Sequence, residues 1–69
     1  MAENALGNRL KDLRAEAGLT QAELAELVGV SRKTINTVEN CVFIPSTVLA
    51  LKLARALKVK TEDLFFLKD

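Results

Sequence analysis

Histidine, tryptophan and tyrosine are missing from this 69-residue chain, and cysteine and proline occur once each. Without histidine, Cys41 lacks the base that usually activates a thiol nucleophile, and no zinc-ligand set can form around it. A lone cysteine also excludes an internal disulfide. No glycine-rich phosphate loop is present. Glu62 and Asp63 are adjacent carboxylates, but neighbours on a helix point apart, and the first turn of a helix accounts for them better. A non-enzyme without cofactor or metal is expected. No apolar run approaches the ~18 residues of a membrane span. The opening MAENALGNRL lacks the basic-then-apolar order of a signal peptide. These absences predict a cytoplasmic protein with no membrane partner. With three phenylalanines as its whole aromatic content, the chain offers no platform for stacking RNA bases.

Three glycines and one proline leave room for few turns, and charge of neither sign dominates: ten basic and nine acidic residues give +1. Any case for nucleic acid therefore rests on local placement of charge. A chain this short buries only about 60% of its unfolded surface, so it forms one domain, 1–69, with one modest core. Its apolar residues are mostly Leu, Ala and Val, which favours a bundle of helices.

Periodicity supplies the helices. Leu6, Leu10, Leu13 and Ala17 recur at spacings of four, three and four and predict a helix from about Ala5 to Ala17, with Gly18 at its end. Thr20-Gln21-Ala22-Glu23 fits a capping box, followed by apolar Leu24, Ala25, Leu27 and Val28 and a stop at Gly29. In Ser31–Asn40, SRKTINTVEN, the residues Thr34, Ile35, Thr37 and Val38 are β-branched and mediocre helix formers. Strand alternation gives no apolar face there, whereas Ile35 and Val38 lie three apart behind Val30, so the segment is a helix capped by Ser31. Cys41–Pro45 reads as an unusually apolar loop. Ser46 caps a helix of about Thr47 to Leu57, apolar around most of its circumference and so expected to be the central, most buried one. Thr61-Glu62-Asp63 opens a last short helix, and Leu64-Phe65-Phe66-Leu67 is an apolar ending with room for a short extended segment.

Two helices joined by a short turn through Gly29 make a helix-turn-helix, about residues 21–40. Ala25 lets the helices approach, and Val30, Ile35 and Val38 anchor the second. Arg32, Lys33, Asn36 and Thr37 remain outward. Arg or Lys can donate to guanine O6 and N7, Asn can pair with adenine, and a Thr methyl can touch thymine. The segment TQAELAELVGVSRKTINTVEN resembles the helix-turn-helix of Cro/CI-type transcriptional regulators, also called the xenobiotic-response-element type. Gln21, Ala25, Gly29-Val30-Ser31, Ile35 and Glu39 fall on that family's typical positions. Agreement continues through NRLKDLR, IPS, LALKLARAL and EDLF, and is strongest with stand-alone repressors of the cytolysin-repressor kind.

The resemblance implies an all-α, five-helix, lambda-repressor-like domain that binds double-stranded DNA in the nucleoid and represses by occupancy, with no small-molecule effector. It implies base contacts from Arg32, Lys33, Asn36 and Thr37, and backbone contacts from Gln21, Ser31 and Asn40. Glu39 is expected to pair with a neighbouring basic or amide group. Where the family usually has glycine this chain has Cys41, so either Asn40 turns left-handed or the loop runs differently. The apolar residues Phe43, Ile44, Phe66 and Leu67 are candidates for a homodimer interface, while Leu64 and Phe65 close the core. An antitoxin-like protein-interaction module on the same fold is the alternative.

Overall fold

A computed structural model describes residues 5–68 of the chain; the reading of MAENALGNRL as free of a signal segment therefore falls partly outside the described residues. Strand β1 (Leu6–Asn8) leads into helices α1 (Leu10–Glu16), α2 (Gln21–Val28), α3 (Arg32–Glu39), α4 (Thr47–Leu57) and α5 (Thr61–Leu64), and strand β2 (Phe65–Leu67) follows. The five expected helices are present. The domain is not strictly all-α, however, because β1 and β2 form an antiparallel pair that matches Leu6 with Leu67, Gly7 with Phe66 and Asn8 with Phe65.

That pair corrects the first predicted helix. Leu6 has the right spacing from Leu10, but the helix begins only at Leu10. Gly7 and Asn8 are weak helix formers, and the apolar tail offers them a strand partner instead. Asn8 Oδ1 accepts the Leu10 amide at 3.0 Å, which stops helical bonding from extending backward. Gly7 permits the close approach seen here, since a Cβ there would require the edge of the Phe66 ring and the Lys68 side chain to shift.

Capping follows the sequence closely. Thr20 and Glu23 complete the reciprocal box at the start of α2. Ser31 accepts the Thr34 amide at the start of α3, and Ser46 accepts the Leu49 amide at the start of α4. Gly18 and Gly29 are both left-handed, at φ 73° and 77°. The end of α3 departs from expectation: Asn40 stays near φ −88°, and Cys41 itself turns left-handed at φ 60°.

The core gathers Leu10, Leu24, Ile35, Val38, Leu53 and Leu64, all fully buried, with Ala25, Val28, Leu49, Ala54, Leu57 and Phe65 around them. Leu64 and Phe65 thus close the core as expected. Helix α4 is less enclosed than its composition suggests. Leu49, Leu53, Ala54 and Leu57 face inward, but Val48 and Leu51 stand 62% and 55% exposed, and Leu27 of α2 is also outward. One face of α4 suffices to fill so small a core, and its other apolar residues are left in water.

Candidate nucleic-acid interface

Helices α2 and α3 carry the site. Ala25, almost fully buried, presents only a methyl at their contact, and the Val30 amide bonds the Ala25 carbonyl across the left-handed Gly29. A larger side chain at 25 would push the helices apart. Ile35 and Val38 seat α3 from below, so packing overrides the low helix propensity of its β-branched residues.

This seating leaves Arg32, Lys33 and Asn36 exposed and Thr37 half-buried on one side of α3. Ser31 and Asn40, at the two ends, are exposed as well, and Gln21 at the start of α2 is half-buried. A chain of polar contacts ties several of them together. Arg32 Nη1 donates to Gln21 Oε1 at 3.2 Å, and Gln21 Nε2 donates to Asn36 Oδ1 at 3.2 Å and to Glu39 Oε1 at 3.0 Å. Asn40 Nδ2 also donates to Asn36 Oδ1, at 3.2 Å. Five sequence-predicted residues thus share one network: Gln21, Arg32, Asn36 and Asn40, with Glu39 beneath them. Lys33 and Thr37 lie outside it.

Glu39 is structural, as its position suggested. Its carboxylate takes Arg14 Nε at 2.6 Å and Nη2 at 3.3 Å, with side-chain exposure of 4% for Glu39 and 14% for Arg14. Arg14 Nη1 reaches on to the Leu19 carbonyl at 2.8 Å, so α1, the α1–α2 turn and α3 are clamped together. A two-pronged Arg–carboxylate pair fixes orientation as well as distance. Sequence reading did not single out Arg14 as the partner. It also placed Asn8 inside a helix, whereas Asn8 Nδ2 donates to the Val38 carbonyl at 2.9 Å and lies 3.7 Å from Cys41 Sγ, fastening the end of α3. An asparagine just before a helical stripe is a capping signal that could have hinted at this.

Electrostatics sets α3 apart from α2. The first turn of α2 carries Glu23, and that of α5 carries Glu62 and Asp63. The first turn of α3 has no acid, and it holds Arg32 and Lys33 instead. Cations at the positive end of a helix dipole are unfavourable in isolation and favourable beside an anion.

Of the four candidate dimer residues, Phe66 and Leu67 belong to β2 and are 44% and 72% exposed, and Ile44 is 54% exposed. Phe43 is placed differently. It lines a cleft with Lys33 and Thr37 of α3, and another with Val48 and Lys52 of α4.

The helix-turn-helix family HTH_3 matches residues 10–64, most of the chain. The chain belongs to the Cro/CI-type helix-turn-helix family. These are transcriptional regulators that bind DNA. The uncharacterized helix-turn-helix regulator YgzD of Bacillus subtilis is 44% identical over 62 residues, spanning 90% of this chain and 94% of that protein. MJ0272 of Methanocaldococcus jannaschii, another uncharacterized regulator, is 47% identical over 62 residues with the same shares. Among solved structures, the restriction-modification controller protein C.AhdI from Aeromonas hydrophila superposes with a TM-score of 0.76 at 40% identity, covering 80% of this chain and 83% of that one. The P22 c2 repressor, solved with a synthetic operator, gives a TM-score of 0.76 at 30% identity over 78% of this chain and 82% of that one. Among the described residues, no helix is long and apolar enough to cross a membrane.

Proposed function

We propose that this helix-turn-helix protein represses transcription by inserting α3 into the major groove of a palindromic operator, as a homodimer. The observation that carries the reading is the outward face of α3: cationic Arg32 and Lys33 in a first turn without acids, with Asn36 and Thr37 one turn on. A phosphate at that helix start would meet the free amides of the first turn. Arg32 and Lys33 are assigned to base edges with Asn36 and Thr37. Gln21, Ser31 and Asn40, flanking them, are assigned to the DNA backbone. The similarity to the operator-bound P22 c2 repressor supports repression as the mode of action.

Dimerisation is part of the proposal because one recognition helix reads only a few base pairs, while two read half-sites about 34–36 Å apart. The exposed apolar residues Ile44, Phe66 and Leu67 are assigned to that contact.

Selection of bound duplexes from a random DNA pool, followed by sedimentation of the protein with the winner, tests both parts. An enriched inverted repeat bound by two chains is expected. A pool that shows no enrichment would sink the DNA reading, and a single chain on the enriched duplex would sink the dimer. On that operator, Arg32→Ala is expected to cost roughly 1–3 kcal/mol and to relax one base preference. An equal loss on all sequences would reassign Arg32 to phosphate.

A further inference from the structure

Beside α3 lies an open cleft of about 360 Å³ whose walls are Ser31, Lys33, Thr34 and Thr37 on one side and Val42 and Phe43 on the other. The backbone builds it. Because Cys41 turns left-handed, the chain doubles back, and the Val42 and Phe43 amides both donate to the Thr37 carbonyl, at 2.9 and 3.2 Å. This sets the phenyl ring of Phe43 beside the outward face of α3 rather than beneath the core. Phe43 stays 46% exposed and Val42 76% exposed, large apolar surface for a position flanked by charge.

The two threonines are less polar here than their names imply. Thr37 Oγ1 donates to the Thr34 carbonyl at 2.9 Å, and Thr34 Oγ1 lies 3.0 Å from Ser31 Oγ. Both hydroxyls have a partner on the chain, and the apolar group each threonine can offer a ligand in the cleft is its methyl. The result is a mainly apolar slot between Thr34 and Thr37 on one side and Val42 and Phe43 on the other, with Lys33 also in its lining.

We infer that this cleft is a specificity subsite for the 5-methyl group of a thymine, and that Phe43 acts there as a base-reading residue rather than in the dimer contact. The inference rests on the DNA-binding reading above and deepens it. Thymine is the standard base that presents an apolar group in the major groove, and threonine methyls and phenylalanine are the side-chain groups that meet it. The slot is continuous with Lys33 and Thr37, both assigned to base edges, so a strand engaged by them passes its opening. Lys33 in the lining supplies the charge that draws in the sugar-phosphate backbone or a neighbouring guanine.

The test is a deoxyuridine scan, which deletes the methyl and nothing else. The duplex is the one enriched from the random pool, with thymines replaced one at a time in each half-site. For the unmodified protein, uracil at one or two positions per half-site is expected to weaken binding about fourfold, the value of burying one methyl-sized group. Phe43→Ala is expected to weaken binding to the thymine duplex to a similar degree and to abolish the thymine–uracil difference at those positions. Phe43→Leu should retain most of that difference. Because Phe43 is half exposed, these variants are expected to fold, and a circular-dichroism melt checks that they do. If Phe43→Ala leaves every thymine–uracil ratio unchanged, the inference is overturned. Uniform weakening would then mark a backbone contact, and a loss of dimer in sedimentation would mark a subunit contact. Absence of any enriched duplex would overturn the DNA-binding reading as well, which keeps the two failures apart.

Discussion

Helices α2 and α3 are the same length, eight residues each, yet they depend on different parts of the chain. Helix α2 carries its defining signals close together in the sequence. Its capping box, its buried Leu24, Ala25 and Val28 and its left-handed Gly29 all lie within ten consecutive residues, 20–29. Helix α3 has a Ser31 cap and two buried side chains, Ile35 and Val38, and the rest of its support comes from far along the sequence. Glu39 is gripped by Arg14, twenty-five positions away, and the Val38 carbonyl is bonded by Asn8, thirty positions away. A helix whose outer face is given to hydrogen-bonding groups has fewer residues left with which to stabilise itself. Its position, and so its presentation of Arg32 and Lys33, is set by tertiary contacts.

The sharpest way to break this contrast is Glu39→Ala. It leaves Arg14, whose side chain is only 14% exposed, bonded to the Leu19 carbonyl without its carboxylate, and it removes an acceptor of Gln21. Truncating one member of a buried ion pair costs about 3–5 kcal/mol; the residual exposure of Arg14 and its bond to Leu19 place the loss near the lower end, about 3 kcal/mol. For a domain this small, that lowers Tm by more than about 10 °C. Removing both partners in Arg14→Leu/Glu39→Leu should cost clearly less than the sum of the single changes, because no charge is left stranded. Thermal melts of Arg14→Leu, Glu39→Leu and the double variant, beside Glu39→Ala, check this. Strictly additive losses would mean that the pair does not couple α1 to α3.

Asn8→Ala comes next in size. It deletes the donor to the Val38 carbonyl and the acceptor of the Leu10 amide, and a cost of about 1–2 kcal/mol is expected. The distinguishing readout is local. Hydrogen exchange should speed up at the end of α3, at the amides of Asn40 and Cys41, while the amides of α2 stay protected. Equal acceleration in both helices would show that Asn8 supports the whole domain and not α3 in particular.

The same division explains what could be read from the sequence. Elements fixed by neighbours in the chain were legible: the capping box at Thr20, the stop at Gly29, the Ser31 and Ser46 caps, and α4 from Thr47 to Leu57. So was the outward placement of Arg32, Lys33 and Asn36, since it follows from where Ile35 and Val38 must go. What was not legible depends on residues distant in sequence. Leu6 has helical spacing from Leu10, and only the arrival of Phe65–Leu67 alongside makes it a strand. Nothing local to Glu39 names Arg14 among ten basic residues. Phe43 was legible as an exposed apolar residue, but not as a wall of the cleft beside α3. Its place beside Thr37 comes from a turn whose handedness a non-glycine sequence does not announce.

The smallest expected effect concerns how the two helices end. Both close on a left-handed residue, Gly29 at φ 77° after α2 and Cys41 at φ 60° after α3. Glycine adopts that region without a steric cost, whereas a residue with a Cβ is disfavoured there by roughly 1–2 kcal/mol. Gly29→Ala should therefore destabilise by about 1 kcal/mol, even though no atom would crowd the new Cβ. Cys41→Gly should do the reverse. Relief of strain is partly offset by the greater freedom of glycine in the unfolded chain and by loss of the Asn8–Cys41 contact, which leaves a gain of about 0.5 kcal/mol, or roughly 2–4 °C in Tm. Cys41→Ala separates the causes, because it keeps the strain while removing the thiol, and no gain is expected from it. If Cys41→Ala stabilised as much as Cys41→Gly, the thiol rather than the left-handed turn would be the unfavourable feature at the end of α3. The two helix ends would then be alike in their backbone demands and different only in chemistry.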